Sequence, residues 1–88
     1  MNVEFKSSFA RDLRAIKDKR LRAQVRELIV LMESVQSIRD IPDLSKISGY
    51  AIYYRIRLGD YRLGLSIEAD TLILMRFLHR RDIYRYFP

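Results

Sequence analysis

Between residues 21 and 35 the apolar positions Leu21, Val25, Leu28, Ile29, Met32 and Val35 recur three and four apart, with Arg22, Arg26, Glu27 and Glu33 between them. That spacing lays one apolar stripe along a helix and predicts an amphipathic helix over this run. Upstream, Phe9, Leu13 and Ile16 repeat the pattern over fewer turns. A brief helix therefore comes first, with Ser7 and Ser8 as N-cap candidates, and the polar run at residues 17–20 forms a bend between the two. Ahead of both, Val3 and Phe5 alternate with Glu4 and Lys6, the period of a short strand with one buried face.

Around Pro42 helical spacing is lost, and Asp43, Ser45, Ser48 and Gly49 gather in what reads as a connecting loop. Beyond it the period becomes two. Residues 50–58, 61–68 and 71–78 predict three consecutive strands, joined at Gly59-Asp60 and near Ala69-Asp70. The order β-α-α-β-β-β gives an α+β fold, with two helices packed on one face of a small, mostly antiparallel sheet.

A two-residue loop at Gly59-Asp60 sets Arg57 opposite Arg62 and Arg55 opposite Gly64. Alternation then places Tyr54, Ile56, Leu58, Tyr61, Leu63, Leu65 and Ile67 toward the helices, and Tyr53, Arg55, Arg57, Arg62, Gly64 and Ser66 on the other face. Two arginines directly across a strand pair repel, at a cost of a few tenths to about 1 kcal/mol. A glycine inside a strand weakens it and often marks a close approach. Together they predict a shallow cationic floor with room above it, suited to phosphate, which guanidinium forks bind bidentately. The next hairpin has two readings. A two-residue loop would point Arg76 into the core beside Leu63, whereas a three-residue loop puts Arg76 on the arginine face and makes Ile73, Met75 and Phe77 core. The second is favoured, because an unpaired buried arginine is costly.

Composition sharpens this picture. The 88 residues make one domain spanning 1–88, with 49% hydrophobic residues and no cysteine, so a packed core without disulfides must stabilise it. No apolar run is long enough for a signal peptide or membrane span, and a cytoplasmic location is the expectation. The net charge of +6 suits a nucleic-acid or acidic partner. The excess is spread over both halves of the chain, so a basic patch must come from folding.

The tail "LHRRDIYRYFP" adds the single histidine, His79, with Arg80, Arg81, Tyr84, Arg85 and Tyr86. Such a basic and aromatic tail can stack on bases and contact phosphates, or its aromatics can pack over a sheet edge. One histidine and no cysteine give no metal-ligand pattern, and glycine-rich phosphate loops are absent, so neither metal nor cofactor is expected. Metal-free cleavage of RNA stays open, because the 2′-OH can attack the adjacent phosphorus. Arginine can neutralise charge there but does not deprotonate, which leaves His79 and the tyrosines, especially Tyr84, to handle protons.

"KISG" at residues 46–49, "YYRIRLGDYRLGL" at 53–65 and "FLHRRDIYRYF" at 77–87 resemble the RelE/ParE superfamily of bacterial toxin-antitoxin systems over nearly the whole chain. In its RelE branch the resemblance implies a toxin that enters the ribosomal A site and cuts mRNA through the RNA 2′-OH. It places Arg55 and Arg57 where well-known members have lysines, matches Arg62 to a family arginine, and aligns Tyr84 with the C-terminal catalytic tyrosine. Arg80 or Arg81 takes a further basic position. The candidate catalytic set is thus Arg55, Arg57, Arg62, His79 and Tyr84, with Lys46, Arg76, Arg80, Arg81 and Arg85 as RNA contacts. The ParE branch implies instead a DNA gyrase poison that is no nuclease. Both branches imply a cognate antitoxin, for which the arginines could also serve as the recognition surface.

Overall fold

The computed structural model describes residues 1–88. Strand β1 (Asn2–Phe5) is followed by helix α1 (Ser7–Arg14) and helix α2 (Lys19–Ser34). Then come β2 (Leu44–Lys46), β3 (Tyr53–Leu58), β4 (Tyr61–Glu68), β5 (Thr71–His79) and a single-turn helix α3 (Ile83–Tyr86). The five strands form one sheet in the order β1-β5-β4-β3-β2, antiparallel except for the β1–β5 pair. The α+β class and the two-helix layer are as expected from periodicity. Three elements go beyond the expected order: a 3-10 turn at Ile38–Asp40 and β2, both inside the segment read as loop, and α3, inside the tail.

Phe9, Val25, Met32, Ile56, Leu63, Leu65, Leu72, Leu74 and Phe77 are essentially inaccessible and form one core between helices and sheet. The stripe read from the sequence is the buried face of α2, since Leu21, Val25, Leu28 and Met32 are its buried residues. Asp18 caps that helix by accepting from the Arg20 and Leu21 amides at 2.9 and 3.1 Å. At α1 the serines expected to cap do not: Lys6 is the N-cap residue, without a side-chain bond. Ser8 Oγ instead donates to the Met75 carbonyl at 2.6 Å, tying α1 to the edge of β5.

The Gly59-Asp60 hairpin has the expected register, with Arg57 opposite Arg62 and Arg55 opposite Gly64. Gly59 takes a positive φ of 59°, which glycine adopts without a Cβ penalty. The second hairpin departs from the favoured three-residue loop. Glu68 pairs with Thr71 and Ile67 with Leu72, so the loop has two residues, and Leu72 and Leu74 rather than Ile73 and Met75 enter the core. The ladder then slips at Gly64/Leu65: Leu65 opposes Leu74 while Gly64 opposes Arg76, leaving Met75 as the extra residue of a bulge. One inserted residue reverses which face each following side chain takes. The bulge thereby keeps Phe77 in the core and Arg76 out of it, avoiding an uncompensated buried guanidinium.

Candidate active site

Strands β3 and β4 turn Arg55, Arg57 and Arg62 to the face away from the helices, because the three share one parity of the pleat. The chain after β5 bends back over this face. The Arg80 amide bonds the Asp60 carbonyl at 2.7 Å and extends the ladder by one link, so Arg80 and Arg81 stand at the end of the arginine row. Short β2 closes the other flank. The result is an open cleft of about 690 Å³ lined by Asp43, Leu44, Ser45, Arg55, Arg57, Arg62, Arg80, Arg81 and Tyr84.

Each arginine is held differently. Arg55 Nε donates to Ser45 Oγ at 3.0 Å, while its Cζ lies 5.5 Å from the centre of the Tyr84 ring, a cation–π distance. Arg62 Nη1 donates to the Gly59 and Tyr61 carbonyls, both at 2.9 Å. Its guanidinium pKa is pushed below the ordinary arginine value, first by burial and then by Arg57, Arg55 and Arg80, with Asp60 partly opposing. Arg62 stays protonated, and three neighbouring guanidiniums add to the effect of burial. The nearest opposing pair is loose, since Arg80 Nε lies 3.8 Å from Asp60 and both side chains are well exposed. Guanidiniums, a phenol and a serine hydroxyl make a donor set for anions, and no three His, Asp or Glu side chains converge to hold a metal.

Of the residues singled out in the sequence, Arg55, Arg57, Arg62, Arg80, Arg81 and Tyr84 come together, and four do not. His79 pairs with Tyr61 across the strands, packs edge-on against its ring at 5.5 Å, and accepts the Arg81 amide on Nδ1 at 3.2 Å. It sits with Phe77 and Tyr61 on the helix side of the sheet, away from the cleft, because alternation gives it the parity of Phe77. Lys46 opposes Tyr54 and shares that side for the same reason. Arg85 is exposed on α3 but does not line the cleft. Arg76 is engaged elsewhere. Its Nε and Nη2 donate to Asp12 at 2.7 and 3.2 Å, which raises its pKa through that hydrogen bond.

The space expected above Gly64 is filled by the chain itself. A Cβ on Gly64 would lie 2.6 Å from Phe87 Cδ2 and 2.7 Å from Cγ and Cε2, so glycine here admits an aromatic ring of the tail rather than a ligand. Ser45 was absent from the expected set. It lay in a segment read as loop, and only pairing with Arg55 on β3 gives it a role.

The model of the ParE toxin of type II toxin-antitoxin systems (parDE) matches residues 3–84. The chain belongs to this toxin family. Within it, the ParE-family chain is RelE-like. It is 40% identical over 89 residues, across 100% of both chains, to Toxin RelE3 of Methanocaldococcus jannaschii. It also superimposes with a TM-score of 0.83, at 38% identity, on a chain of the RelB-RelE antitoxin-toxin complex from Methanococcus jannaschii, covering 97% of this chain and 99% of that one. The archaeal RelE-RelB complex from Pyrococcus horikoshii gives a TM-score of 0.73 at 23% identity, with 90% and 93% covered, a likeness of fold. Such relatives are archaeal, so the resemblance is not confined to bacterial systems.

Proposed function

We propose that this toxin cleaves RNA without a metal, with Arg55, Arg57 and Arg62 holding the scissile phosphate and Tyr84 supplying the proton for the leaving group. The observation that carries the reading is the convergence of five arginines and one phenol on a single open cleft. In the reaction the RNA 2′-oxygen attacks phosphorus, the P–O5′ bond breaks, and a 2′,3′-cyclic phosphate and a 5′-hydroxyl result. Charge building on the equatorial oxygens meets guanidiniums already fixed by Ser45 and by the Gly59 and Tyr61 carbonyls, so little reorganisation is needed. Tyr84 protonates the departing 5′-oxygen. With His79 on the opposite side of the sheet, the 2′-hydroxyl proton goes to water or to a phosphate oxygen of the RNA, and acceleration rests on positioning and electrostatics.

The relatives' crystals hold toxins bound to RelB antitoxins, and this toxin is read as having a cognate antitoxin too, with acidic side chains that neutralise the cleft. The RelE likeness supports mRNA in the ribosomal A site as the substrate. The family's ParE description favours a second reading, a gyrase poison. Primer extension on a message translated in a reconstituted system decides between them. Discrete cuts in the message that fall at least 100-fold with Tyr84→Phe support the interferase. Intact message together with inhibited supercoiling and trapped DNA breaks supports the gyrase reading. Neither effect, with antitoxin binding intact, leaves the cleft as an antitoxin surface alone.

A further inference from the structure

Helix α3 has four residues, too few to be stable by itself, since nucleation costs more than one turn returns. Something else must fix Tyr84, whose side chain is about half exposed at 53%. Two anchors flank it in sequence: Ile83 is fully buried and Phe87 is 3% exposed. The Phe87 amide closes the turn onto the Ile83 carbonyl at 2.8 Å, joining the anchors around Tyr84. The Phe87 ring lies against the bare Cα of Gly64 and edge-on to Tyr53, with ring centres 5.6 Å apart. A third restraint comes from Arg76, which Asp12 holds and whose Cζ sits 5.5 Å from the Tyr86 ring centre.

We propose that Gly64 and Phe87 form a notch and plug that position the Tyr84 phenol over Arg55, making both positioning residues for the cleft. Gly64 needs no unusual backbone angle, so alanine fits its strand and acts only on the ring it would strike. That makes Gly64→Ala a steric probe of the Phe87 contact, and it removes none of the side chains that line the cleft.

This inference rests on Tyr84 acting in RNA cleavage. Cleavage on translating ribosomes is measured against toxin concentration for Gly64→Ala, with 3-fluorotyrosine placed at position 84 for ¹⁹F NMR of the RNA-free toxin. The expected result is a maximal rate at least tenfold lower, a half-saturating concentration within twofold of wild type, and a displaced or split fluorine resonance. In a Tyr84→Phe background the same substitution is expected to change the rate less than twofold, because the group it misplaces is already silent. An equal loss in both backgrounds would show a general structural role and overturn the proposal, as would an unchanged resonance. Should Gly64→Ala not fold, Phe87→Leu removes the ring while keeping an apolar side chain, and the same rate split is expected. If wild type makes no cuts, the proposed activity fails, and the fluorine spectrum alone still decides whether the notch places Tyr84.

Discussion

Arg62 and Arg76 lie on neighbouring strands of one sheet and live in opposite electrostatic worlds. Arg76 meets a carboxylate at 2.7 Å, and that same Asp12 also accepts the Phe77 amide at 3.0 Å where β1 has ended and β5 has a free edge. Arg62 meets other arginines, and its pKa moves down where that of Arg76 moves up. The first arrangement stabilises the fold. The second sets like charges together with only Asp60 partly opposing them, an arrangement that an anion in the cleft would complement.

Breaking the Asp12 side of this comparison has the largest expected effect. Asp12→Ala leaves the Arg76 guanidinium and the Phe77 amide without partners next to the core, at a cost of about 3 kcal/mol, read as a lower urea midpoint with an unchanged slope. Breaking the other side leaves the fold alone. Arg62→Ala is expected to keep unfolding stability within about 0.5 kcal/mol of wild type while slowing message cleavage roughly 100-fold, the usual loss when one transition-state donor is removed. A stability loss as large as that of Asp12→Ala would mean that Arg62 is structural, and the contrast would collapse.

How much of this was legible depended on what kind of signal each feature leaves. The α2 stripe and the Gly59-Asp60 register are local: period and turn chemistry fix them, and with them the shared face of Arg55, Arg57 and Arg62. The bulge at Met75 leaves no such trace, because it answers a conflict between a two-residue loop at one end of β5 and a buried Phe77 at the other. The cost of burying a guanidinium gave Arg76 its correct face, opposite Gly64, although by the wrong loop length, and its partner Asp12 lies 64 positions away in the chain. The pleat parity that carries His79 to the helix side follows from the same slip. Gly64 was read correctly as a point of close approach, but the sequence does not say who approaches. Phe87 takes the place that a ligand would otherwise have.

A finer test compares how the two kinds of arginine respond to salt. Binding of a single-stranded oligoribonucleotide should weaken linearly in log salt, each neutralised phosphate adding about 0.7 to the slope. Arg81→Ala, which removes an uncommitted charge from the cleft, is expected to lower the slope by about that amount. Arg76→Ala is expected to leave it unchanged, since Asp12 already neutralises that guanidinium.

The smallest expected effect concerns repulsion within the cleft. Arg57 faces Arg62 directly across β3 and β4, and its charge is the first electrostatic cause, after burial, of the lowered Arg62 pKa. Like charges in directly opposed positions cost a few tenths to about 1 kcal/mol. Arg57→Gln keeps an unbranched polar side chain, though a shorter one, while removing its charge, so the toxin is expected to become more stable by about 0.5 kcal/mol in low-salt urea unfolding. At 1 M salt the screening length shrinks to about 3 Å and the gain should vanish. A gain that survives high salt would trace to packing or strand propensity, and an outright loss would show that the Arg57 methylenes stabilise the sheet more than its charge strains it. Only a salt-sensitive gain, accompanied by weaker cleavage, matches a side chain whose charge works against the fold and for the ligand.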